Sequence, residues 1–298
     1  MKKIFFVPMI LLSQAAIADC RLVIATLSAP QGSDAIVKAS EAAVRETVSD
    51  ELAFYNETLD SLKLPKIGDV TINLTYSPHS SFPVGGQTDS KNLVSVTYEQ
   101  TPIDISIAAH EIGHVIQKTV GVADDQIIYD VNNINNISII IEGVANLAAA
   151  LYLDNPKVAA GEFFDEAFNV DTFVSIKDDA SITNRSWFQG LVGSPDYATH
   201  APESAKSLQG ILAANASPIL SEPQAYIVSD SFAQPLWILG QKHGRRLAAQ
   251  ILFEAFSTFK DFSKVENFQI ALVAAAKKLN VDQTIVNELQ SQFTARGF

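Results

Sequence analysis

Apolar residues recur at helical spacing from Asp34 to about Leu62, at Ile36, Val37, Ala42, Val44, Val48, Leu52, Phe54, Leu59 and Leu62. This predicts one long helix, ended by Pro65. Pro30 to Asp34 reads as the turn that leads into it, and Leu22 to Thr26 as a strand before it. Two later runs alternate with a period of two: Val70, Ile72, Leu74, Tyr76, and then Leu93 or Val94, Val96, Tyr98. Both predict half-buried strands. The stretch Ser77 to Gly86 between them reads as a loop from its Pro, Ser and Gly content. Ile105 to Ile116 carries a dense apolar helical pattern, with Thr101 or Asp104 placed to cap it. Ile137 to Leu153 is more apolar still, but Glu142 and Asn146 stand near its middle, so it predicts a buried core helix rather than a membrane span. Asn155 to Pro223 is mixed and predicts loops and short helices around a cleft. Beyond it the pattern predicts helices over Ser229 to Lys242, Arg245 to Phe259, Val265 to Leu279 and Asp282 to Phe293. The expected class is α+β: a sheet-and-helix lobe over residues 19–120 and a mainly helical lobe over residues 121–298, together one working unit.

Composition changes this picture in three ways. Lys2-Lys3, the apolar run Ile4 to Leu12 and Ala16-Ile17-Ala18 read as a secretory signal over residues 1–18, with export to the periplasm or medium expected. Cys20 is the lone cysteine, so no intrachain disulfide can form. Cys20 raises a lipoprotein alternative, but Asp19 stands where a lipobox carries a small residue, which favours soluble export. The net charge of −12, with only 21 Lys and Arg and no basic stripe, excludes the usual electrostatic footprint of a nucleic-acid binder.

The chemistry lies in the apolar helix. His110-Glu111-Ile112-Gly113-His114 puts two imidazoles on one helix face, about 6 Å apart along its axis. That spacing suits one tetrahedral metal ion, for which zinc, one per chain, is the expected occupant. The flanks Ile105, Ala108, Ala109, Val115 and Ile116 leave little of this helix to face water. A buried Glu between two buried His is costly without a partner for its charge, and a cation is such a partner. Glu111 is then the general base toward a metal-activated water attacking a carbonyl, most often that of a peptide.

Two His hold zinc poorly, so a third ligand is expected. Glu142 lies 28 residues beyond His114, preceded by Ile139-Ile140-Ile141, and is the favoured choice. Asp124, Asp125 and Asp130 are its rivals. Gly143 and Ala145 are small enough to let the Glu142 helix pack closely on the histidine helix. Asn146, one turn after Glu142, is placed to accept an N–H from a liganding imidazole and fix its tautomer.

His110-Glu111-Ile112-Gly113-His114 with Glu142-Gly143-Val144-Ala145-Asn146 resembles the gluzincin branch of zinc metallopeptidases, which includes thermolysin-like and aminopeptidase N-like enzymes. A metzincin pattern is absent, since Gln117 and Val120 stand where its Gly and third His belong. The thermolysin group usually carries Asp where this chain has Asn146. The resemblance implies a zincin-like fold, in which substrate extends along an edge strand of the sheet; Leu93 to Tyr98, or the end of the loop after Tyr76, is placed to supply that edge. A later stretch, Tyr226-Ile227-Val228-Ser229-Asp230-Ser231-Phe232 running to His243-Gly244, is similar to one in which a Tyr before a helix steadies the oxyanion, which makes Tyr226 the candidate oxyanion stabiliser. His200 and His243 are rivals for that role, while His79 reads as a solvated turn residue. Val84-Gly85-Gly86-Gln87 lacks the Glu of the amine-binding run of aminopeptidase N-like enzymes, which favours an endopeptidase. The expected substrate is a peptide or protein. The alternatives are a non-catalytic binding protein on a zincin scaffold and a zinc amidase acting on a non-peptide amide.

Overall fold

The computed structural model describes residues 20–26, 34–76, 85–90, 92–98, 103–121, 136–158, 170–171, 222–260 and 265–297. The signal-like residues 1–18, and His79, Asp124, Asp125, Asp130 and His200, lie outside them.

The long apolar periodicity forms α1, Asp34–Ser61, between strands β1, Cys20–Thr26, and β2, Val70–Tyr76. β1 and β2 pair in parallel, so α1 is the crossover that parallel strands require. Val44, Val48, Leu52, Tyr55 and Leu59 of α1 are fully buried, and the Tyr55 hydroxyl donates to the Ala148 carbonyl at 2.5 Å. Strand β3, Gly85–Ser90, leads back into β4, Leu93–Tyr98. The sheet order is β1-β2-β4-β3, with β2 and β4 parallel and β3 antiparallel to β4. The sheet is therefore small and mixed, and the class is α+β.

Two expectations about the sheet are corrected. Leu93–Tyr98 is an interior strand, paired on both sides, and not an edge. β3 is one edge, beside the end of the loop after Tyr76 that was the other expected place for it, and its first residues Gly85 and Gly86 were expected to close that loop. Its sequence, GGQTDS, has no apolar alternation to reveal it. A register shift between Thr88 and Ser90 breaks the ladder at its far end.

Helix α2, Ile105–Val120, carries the histidines. Asp104 caps it by accepting the Ser106 N–H at 2.9 Å. At its other end Gly121 takes φ 124°, a backbone region open chiefly to glycine, and its N–H returns to the Gln117 carbonyl. Ile107, Ala108, Ala109, Ile112, Val115 and Ile116 are buried, each large one stabilising by about 1.5–3 kcal/mol.

Helix α3, Asn136–Leu153, packs on α2. Every residue from Ile140 to Leu151 is buried, as expected for a core helix. Glu142 stands two turns into this helix, near its middle as its place in the apolar run predicts. A helix-terminal charge is thereby excluded as the reason for it. The close approach of α2 and α3 runs through Gly113, where a Cβ would stand 2.7 Å from the Ala145 Cα. Gly143 serves a different neighbour: a Cβ there would collide with Ser229 and Phe232. Those two residues belong to α4, Glu222–His243, so Ala145 and not Gly143 is the small residue facing the histidine helix.

Three helices complete the described chain: α5, Arg245–Thr258, α6, Val265–Lys278, and α7, Gln283–Ala295. One continuous apolar core runs from Val44 through α2 and α3 to Phe293. Among the described residues, no helix is long and apolar enough to cross a membrane.

Candidate metal centre

The face of α2 that meets α3 holds His110, Gly113, His114 and Gln117, at offsets of three, four and seven residues. The facing stripe of α3 holds Ile141, Glu142, Ala145 and Asn146. Gly113 and Ala145 bring the backbones together, and Gln117 Nε2 donates to the Ile141 carbonyl at 2.8 Å. Side chains flanking that contact are forced to meet.

They meet at one point. His110 Nε2 and His114 Nε2 stand 3.1 Å apart. Glu142 Oε2 lies 3.2 Å from the first and 3.4 Å from the second. Ligands about 2.0–2.1 Å from a single tetrahedral ion stand about 3.3 Å from one another. The three atoms thus form one triangular face of such a tetrahedron. His110, Glu111 and His114 form an overlapping group, their ligand atoms all within 4.8 Å of one another. Of the two carboxylates, Glu142 makes the tighter contact with both imidazoles, and Glu111 is engaged elsewhere, by Thr88.

The electrostatics agree with a cation site. Glu142 is buried, and its Oε2 forms no well-aligned hydrogen bond. A buried carboxylate oxygen so placed is costly, and a cation at the centre of the triangle removes the cost. Two imidazole nitrogens 3.1 Å apart likewise need a proton or a cation between their lone pairs. Burial works to raise the Glu142 carboxyl, but the charges of His114 and His110 outweigh it and hold the group far below the usual carboxylate range. Burial works to lower His110, but Glu142, then Glu111 and Asn146, override it and hold that imidazole up at about 9.

Asn146 stands where the sequence placed it. Its Oδ1 lies 2.8 Å from His110 Nδ1. The acceptor oxygen fixes a proton on Nδ1, so Nε2, which faces Glu142 and His114, is the nitrogen that an ion would take in exchange for its second proton.

No protein-family model and no curated protein matches this chain. The chemical reading therefore rests on the geometry alone. His110, Glu111 and His114 could hold a metal ion, and Glu142 Oε2 lies within 3.4 Å of both imidazoles.

Tyr226 is corrected in position. It stands inside α4, one turn before Ser229, rather than ahead of the helix, and its side chain lies outside the described residues. Ser229, two turns into α4, packs against Gly143, the residue after Glu142. His243 closes α4 and lies 3.1 Å from Glu288 Oε2, away from the histidine pair.

Sequence reasoning missed two residues of β3. Thr88 Oγ1 lies 2.6 Å from Glu111 Oε2, and a Cβ at Gly86 would collide with the Glu111 side chain. Neither carries a local signal, because each matters only through the pairing of β3 beside α2.

Proposed function

We propose that this chain is an exported zinc-dependent metallopeptidase, with a zincin-like arrangement of an edge strand, a histidine helix and a second helix bearing a carboxylate. The observation that carries the reading is the triangle of His110 Nε2, His114 Nε2 and Glu142 Oε2, with sides of 3.1, 3.2 and 3.4 Å. The presence of Glu111 beside this triangle, within 4.8 Å of both histidines, supports catalysis over a purely structural ion, which needs no base there. Export is proposed from the leader-like residues 1–18 alone.

His110, His114 and Glu142 would hold the ion, with Asn146 fixing the His110 tautomer. When bound, zinc supplies a Lewis acid and lowers the pKa of a coordinated water toward about 7. Glu111 accepts a proton from the attacking water and then delivers it to the leaving amine. Tyr226, at the start of α4, is the proposed donor to the developing oxyanion. β3, with Gly85 to Gln87 at its open end, is the proposed edge along which a peptide extends.

Metal analysis of the purified protein, paired with casein and peptide-library cleavage with and without a chelator, tests the reading. One zinc per chain and chelator-sensitive cleavage are expected. A metal-loaded protein that cleaves only non-peptide amides would transfer the reading to the amidase class. One that cleaves nothing would transfer it to a binding protein.

A further inference from the structure

Strand β3 does more than form an edge. Side chains alternate across a strand, so residues 86 and 88 share one face. Both meet Glu111: Thr88 through its hydroxyl, and Gly86 through the space its missing Cβ leaves for Glu111 Cγ and Oε1. β3 is anchored to α2 a second time by Lys118, whose Nζ donates to the Thr88 carbonyl at 2.9 Å. Glu111 and Lys118 are seven residues apart, two helical turns on one face of α2. Thr88 is thus fixed against the helix through both its side chain and its backbone.

The hydroxyl has one proton and two acceptors in reach, Glu111 Oε2 at 2.6 Å and the Glu111 carbonyl at 2.9 Å. That carbonyl lies mid-helix, where it accepts a backbone N–H from the next turn. The carboxylate is the nearer and stronger acceptor. A carboxylate held at one oxygen can no longer turn freely about its last bond, so its other oxygen keeps one direction.

We propose that Thr88 and Gly86 position the Glu111 carboxylate, Thr88 by donating to Oε2 and Gly86 by leaving room for the side chain to lie against the strand. The proposal rests on the reading of Glu111 as the base. Thr88 is a positioning residue: it touches neither substrate nor ion, and its proton stays on its own oxygen. Its value is that the base is already aimed when substrate arrives, since small misplacements of a reacting group are costly.

The test uses Thr88→Val, which keeps the shape and loses the hydroxyl, and Thr88→Ser, which keeps the hydroxyl. Zinc content, kcat and KM on a casein-derived peptide, and Tm after chelator treatment are measured for each. With Thr88→Val, zinc stays at one per chain, KM holds within about twofold, and kcat falls about 10-fold or more. Thr88→Ser recovers most of that loss. In the metal-free protein, the Tm shifts of Thr88→Val and Glu111→Ala are less than additive when combined, because both remove the same contact. An undiminished kcat in zinc-loaded Thr88→Val overturns the proposal, as does a failure of Thr88→Ser to rescue, or strict additivity of the Tm shifts. A wild-type protein that binds zinc but cleaves nothing overturns the hydrolase reading. Coupled Tm shifts in that inactive protein would make Thr88 a tie between strand and helix and nothing more.

Discussion

Under the proposed function each side chain at the centre has a different task, so each substitution has its own expected signature. Glu111→Gln keeps the three closest donors and loses the base. Zinc content is expected to stay at one per chain while kcat falls at least about 100-fold, measured on the same peptide. Glu142→Ala removes one corner of the triangle, and the protein is expected to lose tightly bound zinc on dialysis. Asn146→Ala leaves the triangle intact but frees the His110 ring to turn and change tautomer. Its zinc affinity, measured by competition with a chromophoric chelator, is expected to fall about 10- to 100-fold. The residues of α2 and α3 were legible because the chemistry repeats at helical spacing: two His four apart, then a Glu and an Asn four apart, each inside an apolar run. Thr88 was not legible, because it lies 23 residues from Glu111 and only strand pairing brings them together.

Among the elements, what was legible followed from how strongly burial patterns a segment. β2, β4, α1, α6 and α7 bury one face each, α5 is buried all round from Ile251 to Phe256, and the bounds of all of them fall within a few residues of those the periodicity predicts. β3 buries no apolar face. One side carries Gly86 and Thr88 against α2, the other carries exposed Gln87 and Asp89, so no hydrophobic period exists to be read. The start of α4 was obscured by Pro223, which reads as a loop residue but is tolerated in the first turn of a helix, where its missing N–H has no partner to lose. The pairing of α2 with α3 depends on the Gly113 contact. Gly113→Val is expected to force the helices apart, lowering stability by about 1–3 kcal/mol in a thermal or urea titration. It is also expected to weaken zinc binding, although no ligand has changed.

Across the whole molecule the core is continuous, and one buried group works against it. Glu51 of α1 is fully buried, and neither carboxylate oxygen has a hydrogen-bond partner among the described residues. Burial pushes its carboxyl well above the usual range. The folded protein therefore keeps a proton on Glu51 where the unfolded chain has released it. Since the folded state binds more protons, stability falls as pH rises above the ordinary carboxyl range toward the raised value. Glu51→Gln removes this penalty. Its Tm advantage over the wild type is expected to widen as pH is raised from about 5 to about 8.

The outer border of the sheet has a bearing on how the protein behaves in a crowded solution. An unpaired strand is where identical molecules can join backbone to backbone and continue into fibres. Here the ladder is interrupted between Thr88 and Ser90, and an ammonium group occupies the Thr88 carbonyl. The peptide proposed above would lie beside Gly85 to Gln87, and the bend that the shift puts into β3 leaves a longer backbone no straight edge to follow. A border proposed to take one short peptide is thereby poorly built for polymerisation.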